Sequence, residues 1–170
     1  GFYAPLQQAV VAKIRELRIE NLLDIGCGEG YYTHAMQAEV LQCVGVDIAK
    51  NAVQVAAKLN KNVTWIVGTG ATLPVLEKSI DLCSSLFSPI PQQEILRVLK
   101  PQGYLMVVTP AQGHLYAMRE ALFEEVNPHE PHKFIQQLEA EFDLVSEQVI
   151  DAPLTLSQQD LKHLIAMTPY

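Results

Sequence analysis

Residues 22–33, LLDIGCGEGYYT, constrain this chain more than any other stretch. A short apolar run ends in glycines spaced G-x-G-x-G and passes into helix-forming residues, which reads as a buried strand, a tight turn and a helix. Glycine at 26, 28 and 30 lets backbone approach a ligand closely where any Cβ would collide. A second apolar run, Val-Gly-Val-Asp at 44–47, follows at the distance one crossover helix occupies. Asp47 ends that run, placed to accept hydrogen bonds from the two vicinal hydroxyls of a ribose. Strand, glycine turn, strand and acid in this order point to a nucleoside-bearing ligand.

The spacing and the charge narrow the choice of nucleoside. A dinucleotide fingerprint needs glycine at its first, third and sixth positions. Counted from Gly26, the sixth position is Tyr31, too large for close helix–strand packing. A pyrophosphate also prefers helix amides with no anions nearby, whereas Asp24, Glu29 and Asp47 crowd this turn. S-adenosylmethionine (SAM) carries no phosphate and has a cationic sulfonium and ammonium, so it suits an acidic pocket. The residues expected to hold it here are Asp24, Gly26, Gly28, Glu29, Gly30 and Asp47. Asp24 and Glu29 are equally suited to capping the turn and the helix start, where acids are favoured.

Alternating strand and helix patterns run from residue 21 to 109. Strands are expected at Asn21–Ile25, Gln42–Asp47, Asn62–Val67, Ile80–Leu86 and Tyr104–Thr109. Helices are expected at Gln7–Arg18, Tyr31–Glu39, Asn51–Leu59 and Gln92–Leu99, with Lys100–Gly103 as a proline–glycine turn. Such alternation requires parallel pairing with right-handed crossovers, and ligands then bind at the carboxyl ends of the strands. Gly70, Ala71, Phe87 and Ser88 follow strand ends and therefore share the rim with the glycine turn, Gly70 and Ala71 expected to contact the cofactor and Phe87 and Ser88 the substrate. Further on, helices are expected at Leu115–Val126 and Lys133–Phe142, a strand at Leu144–Ile150, and a helix from an N-cap at Ser157 to Ala166. The whole, residues 1–170, reads as one α/β domain: an entry helix over 1–20, a mostly parallel doubly wound sheet, and a helical and strand portion over 111–170. On this reading the last antiparallel strand of the sheet is missing, and the exposed sheet edge invites pairing into a homodimer.

Composition sets the outer limits. With 49% hydrophobic and 18% charged residues, the 170-residue chain has material for a real core. Its net charge of −7, without a Lys/Arg cluster, is a poor surface for holding a polyanion unaided. Either the substrate is small or another segment supplies basic surface. The three cysteines, Cys27, Cys43 and Cys83, show no C-x-x-C pairing, which indicates neither a disulfide framework nor zinc and fits a reducing cytoplasm. No apolar run approaches the ~18 residues of a membrane span. His129 and His132 sit at i, i+3 but lack a third ligand, so they read as a polar turn rather than a metal pair.

Taken together, LLDIGCGEGYYTHAM (22–36), FYAPL (2–6), LRVLKPQG (96–103), TP (109–110), HL (114–115), EVNPHEPH (125–132) and MTP (167–169) resemble the bacterial large-subunit rRNA guanine-N1 methyltransferases, which modify a guanine of 23S rRNA. The resemblance implies a Rossmann-like SAM-dependent methyltransferase domain. It also implies a small four-cysteine zinc module ahead of that domain and a C-terminal extension finishing the sheet. Neither the module nor the final strand is visible here, so the resemblance is to a truncated member, and the zinc module's absence matches the acidic charge. Position by position, the family's SAM contacts fall on Tyr3, Gly28, Glu29 and His114. Tyr3 is equally placed to act as a hydrophobic staple, and His114 to cap a helix.

Guanine N1 lies on a paired edge and carries a proton, so the base must be unpaired and the proton must leave. The acceptor slot is expected after the fourth strand, at Leu86-Phe87-Ser88-Pro89, which lacks the N/D-P-P-Y pattern used for exocyclic amines. Phe87 either stacks on the guanine or belongs to the core, while Ser88 or a backbone carbonyl reads the base edge. No general base is identifiable. Two other readings stand beside this one: a methyltransferase acting on a small acidic or quinone-like acceptor, and a SAM-binding domain without catalysis.

Overall fold

The computed structural model describes residues 4–110, 136–153 and 159–169. Tyr3, His114, His129, His132 and the expected helix at 115–126 lie outside these residues. The described elements are α1 (Ala4–Leu17), β1 (Asn21–Ile25), α2 (Tyr31–Gln37), β2 (Gln42–Asp47), α3 (Lys50–Leu59), β3 (Thr64–Val67), β4 (Ile80–Leu86), α4 (Gln92–Val98), β5 (Leu99–Pro110), β6 (Phe142–Pro153) and β7 (Gln159–Pro169). The strands form one seven-stranded sheet in the order β3-β2-β1-β4-β5-β7-β6. The first five pair in parallel, while β7 runs antiparallel to β5 and to β6. Strand order reverses between β1 and β4, and there a crevice opens at the carboxyl ends.

The period-2 pattern of the strands feeds two apolar layers. On one face Leu22, Cys43, Leu82, Met106 and Val108 meet Leu6, Val10 and Ile14 of α1, which recur every fourth residue along that helix. On the other face Leu23, Ile25, Cys83, Leu105 and Val107 pack with Ile95 and Val98 of α4, Leu138 and Phe142. Each fully buried leucine contributes roughly 1.5–3 kcal/mol. Helix α1 begins a turn earlier than its polar residues suggest, because Leu6 extends the buried stripe and Pro5 is tolerated in a first turn.

Four expectations are corrected. The segment read as a closing helix from Ser157 to Ala166 is strand β7 over Gln159–Pro169. Ile165, Ala166 and Met167 are completely or almost completely buried, and they lie between β5 and β6 in the sheet. Because three consecutive residues are buried, this strand is covered on both faces, so its apolar run is continuous and cannot be told from a helical face by period. The sheet is therefore not missing its last antiparallel strand. The expected homodimer depends on an unfinished sheet edge, and β7 completes the sheet, pairing with β5 from Leu105↔Met167 to Pro110↔Lys162, which removes that argument. Finally, Lys100–Gly103 is an irregularity inside β5, where pairing jumps from Ile80↔Leu99 to Leu82↔Tyr104 and Gln102 takes φ 70°.

Candidate functional site

Strand register brings the rim residues together. Because Ile25 pairs with Val46 and Asp47 with Val67, the turn after β1, the end of β2 and the start of the loop after β3 lie side by side. The amides of Gly26 and Cys27 both donate to the Val46 carbonyl, at 2.8 and 3.0 Å, and the Gly68 amide donates to the Asp47 carbonyl at 3.0 Å. Over them opens a cavity of about 540 Å³, lined by Ile25, Gly26, Val46, Asp47, Ile48, Gly68–Ala71 and Phe87–Pro91. That volume lies within the usual range for small-molecule sites, roughly 300–1,000 Å³.

Asp47 is the one ionisable side chain among these lining residues. Its Oδ2 accepts from the Gly28 amide and its Oδ1 from the Ala49 amide, each at 2.8 Å. A carboxylate oxygen has two lone pairs, so each still has capacity for a ligand hydroxyl. Gly28 has φ 56°, and a Cβ added there would meet nothing within 4 Å, so it would project into open space over the turn. Gly26 is different: its φ is 75°, and a Cβ would fall 2.6 Å from the Ser88 Cβ. Gly28 is thus required for backbone conformation alone, and Gly26 also for packing against the β4 end.

Asp24 lies beneath the turn and not in the cavity. It is 2% exposed, accepting from Thr33 Oγ1 at 2.6 Å and from Ser84 Oγ at 2.8 Å. Burial pushes its carboxyl up to about 6 against the opposing pull of those two bonds, and the charge of Asp47 adds to the rise. It joins β1, α2 and β4 and so steadies the turn from below. The capping alternative is not realised at α2, whose N-cap Gly30 has no side-chain cap bond.

Glu29 and Gly30 also depart from the expected cluster. They line a separate cavity of about 450 Å³ with Tyr31, His34, Asn60 and Trp65. The Trp65 ring occupies the space a Cβ on Gly30 or Gly45 would need, which explains Gly45 by packing and Gly30 by packing together with its φ of 88°. Gly70, Ala71, Phe87 and Ser88 do reach the 540 Å³ cavity. Ser88, however, is engaged: its Oγ donates to the Ile25 carbonyl at 2.9 Å. The thiols of Cys27, Cys43 and Cys83 are free of disulfides, and burial raises all three, Cys27 to about 12. Among the described residues no cluster of His, Cys, Asp and Glu is arranged to hold a metal ion.

Sequence reasoning missed the apolar wall of the cavity, Ile48, Ile90 and Pro91. Ile48 had a signal, an apolar residue immediately after the strand-ending acid. It also missed the pair Glu94 and Arg97, which sits at helical i, i+3 spacing. Glu94 Oε1 accepts from the Leu73 amide at 2.7 Å, and Arg97 donates to the Leu73 and Val75 carbonyls at 2.8 and 3.1 Å. The pair pins the loop that carries Gly70 and Ala71.

A glycine turn, a strand-ending acid and a cavity at the reversal point of a 3-2-1-4-5-7-6 sheet define the Rossmann-like fold of SAM-dependent methyltransferases. The chain belongs to the methyltransferase domain family, whose model matches residues 18–166. It is 30% identical over 177 residues to the 23S rRNA (guanine(748)-N(1))-methyltransferase of Streptomyces fradiae, covering 99% of this chain and 63% of that protein. It is also 30% identical over 145 residues to the biotin biosynthesis bifunctional protein BioHC of Cellvibrio japonicus, covering 78% of this chain and 29% of that one. Among solved structures, the N-methyltransferase NodS of Bradyrhizobium japonicum, in complex with S-adenosyl-L-homocysteine, has the same fold, with a TM-score of 0.72 at 15% identity. That match covers 97% of this chain and 88% of NodS. The chain therefore spans under two thirds of the length of the curated relatives named here.

Proposed function

We propose that this chain binds SAM in the cavity over β1 and β2 and transfers its methyl group to N1 of a guanine in 23S rRNA. The observation that carries the reading is the placement of Asp47 on the wall of one cavity that Gly26 and Phe87 also line. Asp47 takes the ribose hydroxyls, Gly26 and Gly28 admit the ligand to the backbone, and Ile48, Ala71 and Pro91 cover the adenine. SAM, when bound, supplies an electrophilic methyl on a sulfonium centre. Phe87 offers a ring face for the unpaired base. Alignment of donor and acceptor supplies most of the acceleration, a contribution of ~7–11 kcal/mol for well-placed reactants. The N1 proton leaves to water or a neighbouring base. Similarity to the Streptomyces fradiae enzyme along nearly the whole chain supports the guanine acceptor.

The net charge of −7 favours a second reading, in which the acceptor is a small metabolite. Under the first reading a basic surface from another segment or partner holds the RNA, and the reaction belongs to the cytoplasm. A sheet missing its last strand would favour the non-catalytic SAM-binding domain, and the seven-stranded sheet takes that support away. Incubating the protein with methyl-labelled SAM and unmodified 23S rRNA, and separately with a metabolite panel, tests the choice. Label on guanine N1 is the expected result; label on a metabolite alone overturns the RNA acceptor.

A further inference from the structure

Phe87 is the one bulky side chain at the cavity rim with a left-handed backbone, φ 59°. For a large non-glycine residue that conformation is a true outlier, and it persists only where the surroundings over-determine it. Here three sets of bonds do so. The Phe87 amide donates to the Val108 carbonyl at 2.9 Å, which fixes the residue to the end of β5. Ser88 Oγ donates to the Ile25 carbonyl at 2.9 Å, tying the next residue to the end of β1. Ser85 Oγ lies 2.8 Å from Ser88 Oγ and 3.0 Å from the Ser88 carbonyl, closing a loop around Phe87 from the β4 side. The Ser88 side chain is in turn pressed against Gly26, so the lock and the glycine turn share one packing surface. Although so constrained, Phe87 remains 42% exposed and lines the cavity. A residue kept for the core would be turned inward; this one is held at the surface of a binding site by bonds that its own relaxation would break.

We propose that Ser85 and Ser88 are positioning residues, whose hydroxyls lock Phe87 in its left-handed conformation and so hold its ring as the stacking face for a planar heteroaromatic acceptor. This rests on the methyltransfer reading above but adds to it: Ser88 acts through Phe87 and does not read the base edge. The acceptor class follows from the ring, since every nucleobase has a π-face.

Six variants of the full chain test it: F87G, F87A, S88A, S88T and the double variant F87G/S88A, with F87A/S88A as its reference. If the lock imposes strain, F87G melts higher than F87A by ~2–4 °C, the left-handed preference of glycine outweighing its greater freedom when unfolded. In the S88A background that margin shrinks. With unmodified 23S rRNA transcript as acceptor, S88A lowers kcat/KM for the RNA by up to ~10²-fold, the scale of a misplaced reacting group, while KM for SAM holds. The conservative variant S88T, which keeps the hydroxyl, recovers part of the loss. Equal melting of F87G and F87A, or an unchanged margin with S88A, overturns the lock. An S88A defect confined to KM for SAM overturns its role toward the acceptor. A wild-type protein that methylates a metabolite and no RNA overturns the guanine reading instead; the melting comparison still decides the lock.

Discussion

The Gly28 amide donates a 2.8 Å hydrogen bond to Oδ2 of Asp47, so the acid that ends β2 also fastens the glycine turn that follows β1. One carboxylate therefore does two things. It organises the turn before any ligand arrives, and on the proposed reading it keeps lone pairs in hand for a ribose. This coupling makes Asp47 costlier to lose than a simple ligand contact, because its removal also leaves the Gly28 and Ala49 amides without this acceptor.

Asp47→Ala is expected to weaken SAM binding by roughly 1–3 kcal/mol, the scale of hydrogen bonds to a charged acceptor. Calorimetric titration with S-adenosyl-L-homocysteine measures it. Asp47→Asn, which retains one acceptor oxygen, should fall between the two. An affinity unchanged in Asp47→Ala would remove Asp47 from the ligand site.

The fold as far as β5 was legible because its information is local. Asn21–Ile25, Gln42–Asp47 and Ile80–Leu86 match their expected strands to the residue, each bounded by a turn or a polar break. β7 was not legible. Its Leu-Ile-Ala-Met run is compatible with a helix and with a doubly covered strand, and only its insertion between β5 and β6 decides the matter. The site divides the same way. Asp47 and the turn glycines follow from position along the chain, whereas the separation of Glu29 from the cavity and the burial of Asp24 depend on side-chain direction. Asp24 and Asp47 look alike as sequence, each one an acid on a strand; register places one under the turn and the other on its rim.

The two turn glycines should respond differently to substitution. Gly28→Val faces open space but requires an L side chain at φ 56°, and on the proposed reading its methyls obstruct the ligand. It should lose ligand binding while keeping its circular dichroism spectrum. Gly26→Ala brings a Cβ to 2.6 Å from Ser88 and should lose thermal stability as well. Equal melting temperatures for the two would contradict this division.

Asp24 gives the fold a pH dependence of definite sign. Its carboxyl is raised from 3.8 to about 6, chiefly by burial, so the folded state holds the proton more tightly than the unfolded chain does. Its stabilising contribution is complete below the unfolded value and is lost as pH rises through about 6. Asp24→Asn cannot titrate. The stability advantage of the wild type over Asp24→Asn should therefore be larger at pH 4.5 than at pH 7.5, as read from thermal melts. An advantage that grows toward neutral pH would mean that Thr33 and Ser84 hold the carboxylate better than water does.

Arg97 and Glu94 act on the site from outside it. Neither lines the 540 Å³ cavity, yet together they hold the backbone of Leu73 and Val75, just beyond the cavity-lining residues Gly70 and Ala71. Arg97 does this with a planar fork that donates to two carbonyls and to both Glu94 oxygens. A lysine keeps the charge but lacks the fork geometry. Both Arg97→Ala and Arg97→Lys should therefore loosen the loop, lowering SAM affinity several-fold without touching a ligand atom. Hydrogen exchange should rise at the Leu73 amide, which Glu94 Oε1 accepts at 2.7 Å in the intact clamp. Saturating S-adenosyl-L-homocysteine should restore protection there, because a bound adenine orders the same loop from its other side. Affinity retained in Arg97→Lys, with exchange unchanged, would show that charge alone steadies this loop.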